Sequence, residues 1–479
     1  MNLKSLLKDT AIYGLSSIVG RFLNYLLVPL YTFKMAATSG GYGVITNIYS
    51  WVALCLVVCI FGMETTFFRF ANKEGEDPRS VLSNAFWLIL TLSLLMLAGV
   101  LGFLPSVASS LGYADSPWFV GAMAIVTAFD AVQAILFSWL RFVKRPIKFA
   151  AFKLLFIALS ISLNLIYYVL LQATDPTPAF FINLVCTLSI TLFFIPELRL
   201  IRFQIDRRLM RSMLSYSWPI LILGIAGILN QTADKLIFPF VADDPEHRLL
   251  GIYGAGVKIA MIMAMITQAF RYAYEPLVFS STRDADAKTK YAVAMNFFVI
   301  FTLLAYLCVI GGMPILRHII SPDYWDGLCV VPIVMVAEIM MGIYFNLSFW
   351  YKLIDRTIYG AVFSIAGCLV LIAVNVFGIP HFSFMACAWG GVAGYGTAML
   401  LSYVVGQLKN PIPYDIPKLL FYVALTALCH ALIAFIPDAL HLSPFLSLAF
   451  SATLILLFLL IVWHKELRHH FIHSSHKTF

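Results

Sequence analysis

Tyr13, Ser17, Arg21 and Asn24 follow one another in steps of four, four and three residues. If this stretch is helical, that spacing sets all four on one face. A second polar group lies at Asn230, Gln231, Asp234 and Lys235, where each of Asn230–Asp234 and Gln231–Lys235 is one turn apart. Lys258 and Arg271 follow downstream. Such residues can hold an anion: the planar fork of arginine gives paired hydrogen bonds to phosphate or carboxylate that lysine cannot copy. Four acids, Glu64, Asp130, Asp234 and Glu338, are embedded in apolar sequence. Desolvation raises the pKa of such a carboxylate and a bound cation lowers it, so each is a candidate site for coupling to a proton or sodium gradient. We find no nucleophile–base set and no GxxxxGK[ST] phosphate loop. The expected chemistry is therefore binding and movement, with no reaction catalysed and no cofactor or metal required.

The elements that position these residues follow from composition. Of 479 residues 61% are hydrophobic and 12% charged, with a mean hydropathy of +0.90. Soluble domains carry about 45–50% apolar and about 25% charged residues, so the solvent for this chain is a bilayer. A membrane helix needs roughly 20 apolar residues. Fourteen such spans are predicted, at 10–33, 42–70, 82–104, 118–140, 149–171, 179–198, 213–240, 249–277, 291–312, 328–351, 358–378, 383–405, 418–436 and 444–463. The first is too long for the apolar core of a cleavable signal. With the N-terminus inside, 23 of the 32 basic residues fall on inner segments, against Lys34, Arg248 and Arg317 on outer loops. That asymmetry is the positive-inside pattern, and it accounts for the +8 charge without nucleic acid as a partner. Both termini are expected in the cytoplasm. The eight cysteines lie in or beside apolar spans and read as small apolar filler. The histidine-rich tail, His464 to His476, reads as a solvated juxtamembrane segment.

The chain repeats itself at a spacing of 211 residues. Tyr42-Gly43 matches Tyr253-Gly254, Glu64 matches Glu275, and Trp139, Arg141 and Arg145 match Trp350, Lys352 and Arg356. One residue out of that register, Leu26 to Pro29 matches Leu236 to Pro239 and Asn24 matches Asp234. A duplicated six-helix unit explains all of these matches. Because six is even, the copies are parallel, and substrate is expected at their interface around a central cavity. The expected organisation is an N-lobe at 1–205, a C-lobe at 206–410, and two added helices with a basic, histidine-rich tail at 411–479.

Other roles compete for several residues. Lys235 and Lys258 sit toward span ends, from which their amines can snorkel, and Asp234 is a candidate partner for Lys258. Arg271 and Glu275 are spaced for an intrahelical bridge. Arg69 and Lys153 lie near inner ends. The glycines of 251–256 and 390–394 suit close helix contacts rather than a ligand cradle.

Asp9-Thr10-Ala11-Ile12-Tyr13-Gly14 leading into Arg21–Tyr31, and Tyr42-Gly43-Val44 followed by Gly62 through Phe70, resemble the polysaccharide-transporter branch of the multidrug/oligosaccharidyl-lipid/polysaccharide exporter superfamily. The match is most specific over 9–71; beyond it rests on helix number and the two-lobe repeat. The resemblance implies a bacterial inner-membrane flippase that moves a polyprenyl-pyrophosphate-linked saccharide, an O-antigen or exopolysaccharide unit or a lipid II-like precursor, by alternating access. It also implies that Arg21 contacts the pyrophosphate and that the two added helices form a groove for the lipid tail. A cation-coupled exporter of small drugs shares this fold and is the alternative. It favours acidic residues in mid-cavity, whereas here Arg21 stands on the best-defined polar stripe. A membrane enzyme of saccharide lipids would need a large outer loop or soluble domain, and the outer segments are short.

Overall fold

The computed structural model describes residues 25–280, 287–354 and 356–467. Helices dominate, and no strand occurs among these residues. In chain order they are α1 (Leu27–Lys34), α2 (Gly41–Ile60, continued by Met63–Ala71), α3 (Pro78–Gly102), α4 (Pro117–Phe142), α5 (Pro146–Leu165), α6 (Thr177–Phe193) and α7 (Arg207–Val241). After these come α8 (Arg248–Ser280), α9 (Ala287–Gly311), α10 (Val331–Leu347), α11 (Ile358–Phe382), α12 (Phe384–Lys409), α13 (Ile416–Ala439) and α14 (Pro444–Val462). Twelve helices among the described residues are long and apolar enough to cross a bilayer, and they coincide with predicted spans two to five and seven to fourteen. This is a multi-pass membrane protein. The sixth predicted span is the 17-residue α6, about 26 Å long against a core of roughly 30 Å. A further turn, Ile195–Leu198, extends it. Most of the first predicted span, with Tyr13, Ser17, Arg21 and Asn24, lies outside the described residues.

Local sequence explains where the helices start. Pro78, Pro117, Pro146 and Pro444 occupy first-turn positions, where a missing N–H costs nothing and φ is already helical. Asp77 accepts from the Arg79 amide, and Asp206 from those of Arg208 and Leu209. These caps satisfy N–H groups that have no partner within the helix. Helix α2 breaks at Phe61-Gly62, both at positive φ. A Cβ on Gly62 would meet Ile220 at 3.0 Å, so the break also lets α7 approach. The continuation starts immediately after and carries Glu64 in its first turn.

The chain forms two compact units. One runs to Gly254 and takes in Asn375–Phe384; the other comprises Ala255–Val374 and the chain from Met385 onward. In the first, α4 is central: 72% of its apolar window is buried, against 11% for α14. It packs against α3, α2 and α6, which is why the polar side chains of α4 meet protein rather than lipid. At one end of this unit Arg202 pairs with Asp77 at 2.7 Å, and Lys148 with the buried Glu197 at 2.6 Å. The opposite end gathers 37–43, 112–113 and 246–247: Tyr113 stacks on His247, and the backbone of 246–247 lies against Gly40 and Gly43.

In the second unit α9 packs against α13 and α14. Trp350 fills an aromatic cluster with Tyr351, Tyr359 and Phe363 and donates from Nε1 to the Ser402 carbonyl at 3.0 Å. Its match in the first unit, Trp139, lies among Phe67 and Phe142. The glycines serve close approach, as expected: a Cβ on Gly394 would meet the Gly367 carbonyl at 2.8 Å, and one on Gly256 the Gly327 carbonyl at 2.0 Å.

Candidate functional site

Asp234 and Lys235 lie on α7, and Asp234 is 9% exposed. A charge here needs strong partners to offset its desolvation. Lys235 Nζ donates to both carboxylate oxygens, at 3.0 and 2.8 Å, and the Tyr253 hydroxyl donates to Oδ2 at 2.6 Å. The amine also donates to the Gln231 carbonyl at 3.2 Å, so the one-turn spacing of Gln231 and Lys235 is realised through the backbone. Gln231 itself is exposed. Asn47 on α2 donates to the Lys235 carbonyl at 2.8 Å and accepts from the Tyr113 hydroxyl at 2.7 Å. The acid thus sits in a network joining α7, α2 and the start of α8. Lys258 is half-buried on α8 and belongs to the second unit.

Two further candidate acids lie in the first unit. Glu64 Oε1 is 3.3 Å from Arg141 and accepts from Ser138 at 3.2 Å, with both charged side chains over a third exposed. Such exposure leaves the pair weak and open to exchange. Asp130, on α4, accepts from Thr187 at 3.2 Å. Beside it Asn183 donates to the Tyr49 hydroxyl at 2.6 Å, and Gln133 donates to the Thr187 carbonyl and the Thr191 hydroxyl. Together α2, α4 and α6 enclose a polar strip within the bundle.

In the second unit Arg271 lies over the Phe345 ring, 4.8 Å from its centroid, a cation–π contact. The side chain of its expected partner Glu275 is outside the described residues. Glu338 is half-buried in α10. Arg69, expected at an inner end, covers Tyr216 at 4.0 Å, and Lys153 covers Phe137 at 4.2 Å.

Sequence reasoning missed Tyr253 as a partner, having read it only as a repeat marker. It also passed over Asn47, Asn183 and Asn375, amides in otherwise apolar spans and so a signal that was available. Asn375 is fully buried, and neither amide atom has a hydrogen-bond partner among the described residues. His247 was missed as well. It is 6% exposed, with both ring nitrogens unpaired among the described residues. Burial pushes its pKa below the usual histidine range, and nearby Asp244 opposes that shift.

An all-helical, multi-pass membrane fold with ion pairs and amides inside its bundles defines the class. The chain belongs to the polysaccharide biosynthesis protein family, which it matches over residues 6–273. No curated protein matches its sequence. Among solved structures it is similar to the lipid II flippase MurJ in an inward closed conformation, with a TM-score of 0.74 and 13% identity over 94% of this chain and 98% of that one. It is also similar to an inward-facing multidrug resistance MATE family transporter of the MOP superfamily, at a TM-score of 0.58 and 15% identity over 83% and 94%. A MATE protein in a straight conformation gives 0.58 and 12% identity over 85% and 95%. These likenesses establish the shared fold.

Proposed function

We propose that this chain is a flippase that carries a saccharide linked to a polyprenyl (pyro)phosphate across the bacterial inner membrane by alternating access. The observation that carries this reading is family membership over residues 6–273; the fold shared with a lipid II flippase supports it. The physics agrees with an anionic headgroup: a pyrophosphate crossing a low-dielectric interior needs positive charge, and a sugar needs hydrogen-bonding groups along its path. The prenyl tail can stay in lipid. Arg21, on the stripe with Tyr13, Ser17 and Asn24, is the proposed phosphate contact, and Gln231, Lys235, Lys258 and Arg271 are secondary contacts. The end bearing 72–77, 143–145 and 199–206 is proposed to face the cytoplasm.

Arg21→Ala in purified protein should lose affinity for a pyrophosphate lipid while keeping affinity for a neutral lipid, and should stop flipping in vesicles. Arg21→Lys should be impaired, since it keeps the charge and loses the fork. Unchanged binding and flipping in Arg21→Ala would remove the residue from the site. The same vesicles, with and without an imposed proton or sodium gradient and with amides at Glu64, Asp130, Asp234 and Glu338, test coupling; equal rates throughout would mean facilitated movement.

The MATE likenesses favour one second reading, cation-coupled export of small molecules on the same fold. Selective binding of organic cations in place of pyrophosphate lipids by the purified chain would establish it.

A further inference from the structure

A pocket of about 400 Å³ opens at the end of the first unit where 38–44, 112–119 and 245–247 meet. That volume falls in the range of small-ligand sites, roughly 300–1,000 Å³. The loops around it are packed closely against one another. Gly40 and Gly43 have no side chain because the carbonyls of Glu246 and His247 would lie 1.5 and 1.9 Å from a Cβ there. His247 is held at a φ of +57°, a conformation a non-glycine residue adopts at a cost and one that clusters at ligand sites. Its ring stacks on Tyr113 at 5.2 Å. It is over nine-tenths buried, and neither ring nitrogen has a partner among the described residues, so a donor and an acceptor are left unmet in the wall.

The rest of the lining sets the ligand's chemistry. Asp115 and Glu246 are exposed carboxylates, Ser39 and Ser116 bring hydroxyls, and Phe119 an apolar ring; among the described residues no lysine or arginine lines the pocket. Two carboxylates without a cation repel phosphate. They accept hydrogen bonds from adjacent hydroxyl groups, and an aromatic ring suits the C–H face of a pyranose. Polar groups outnumber the apolar walls that a greasy organic cation would need.

We infer that this pocket binds an uncharged sugar ring, one or two units of a saccharide headgroup, apart from the cationic groups that hold its phosphate. The substrate class rests on the flippase reading; the binding itself can be measured without it. Tyr113 links the pocket to the acid: its hydroxyl donates to Asn47, which donates to the Lys235 carbonyl beside Asp234.

The test is saturation-transfer NMR on the full chain in nanodiscs, with glucose, galactose and N-acetylglucosamine as probes. Inorganic pyrophosphate and tetraphenylphosphonium serve as competitors. At least one sugar should receive saturation on its ring protons. Glu246→Gln and Asp115→Asn should each weaken that binding about tenfold, the loss expected for a hydrogen bond to a charged acceptor. Ser39→Trp, at an exposed position, should block it by filling the space. No saturation of any sugar in the parent, or saturation unchanged by Ser39→Trp, overturns the proposal. Competition by pyrophosphate or tetraphenylphosphonium that is lost in Ser39→Trp also overturns it, because the pocket would then select charge. Sugar binding in a chain that flips no pyrophosphate lipid would leave the pocket standing and remove the flippase reading.

Discussion

Lys235→Ala should be far more damaging than Asp234→Asn, though the two residues form one ion pair. Asp234 accepts two hydrogen bonds from Lys235 and one from Tyr253, with side-chain exposures of 12% for the acid and 15% for the lysine. Removing the lysine strands a buried carboxylate on a single hydroxyl, and breaking such a pair from one side costs about 3–5 kcal/mol. Asp234→Asn removes the acid's charge, while the Lys235 amine keeps the Gln231 carbonyl and a long stem with which to reach water. Its cost should be nearer about 1–2 kcal/mol, the range for one unmet polar group. The double variant should recover most of what Lys235→Ala loses, since no stranded charge remains. Tyr253→Phe should cost about 1.5–3 kcal/mol, as for a hydrogen bond to a charged group. Thermal unfolding in detergent can be followed with a thiol-reactive fluorophore. Cys59, Cys186, Cys368 and Cys429 are free and buried and would report opening. Parental stability in Lys235→Ala, or no recovery in the double variant, would refute the claim that the lysine neutralises a buried acid.

Gly43→Ala places a methyl group 1.9 Å from the His247 carbonyl and 2.9 Å from the Gly251 amide nitrogen. Backbone on both sides cannot yield, so a loss of about 3 kcal/mol or more is expected, at the upper end for overpacking; the same unfolding assay reads it, and a parental melting temperature would disprove the contact. His247 is held below its unfolded pKa, so the unfolded chain binds the extra proton first. Stability should be full above about pH 6.5 and fall as pH drops through the depressed value. His247→Phe should flatten that slope in melts between pH 7.5 and 5; an unchanged slope would clear the histidine. Cysteines placed in 199–206 and 143–145 should resist an impermeant thiol reagent in intact cells and react in inverted vesicles. Labelling in intact cells would reverse the orientation.

That the chain is a helical membrane protein follows from composition and hydropathy alone, because the bilayer sets one length for every crossing and a run of about 20 apolar residues meets it without reference to anything else. Helix starts are set just as locally, by Pro78, Asp77 and Asp206 within three residues of themselves, but the apolar spans read from 82 and 213 begin inside the helices that start at Pro78 and Arg207. The polar face of α7 was legible, since helical periodicity puts Gln231 and Lys235 one turn apart. The tertiary structure decided the partners. Asp234 found Tyr253, 19 residues on at the start of the next helix. Glu64 met Arg141, 77 residues away, and Asp130 met Thr187. No periodicity within one helix encodes such pairings. They depend on which faces of two helices meet and how closely, and here Gly62 against Ile220 and Gly43 against His247 set that distance. The pocket beside His247 was illegible for a stronger reason. Its walls come from three loops far apart in sequence, polar and ordinary when read singly, and only the folding of α1 to α8 brings them to one end of the bundle.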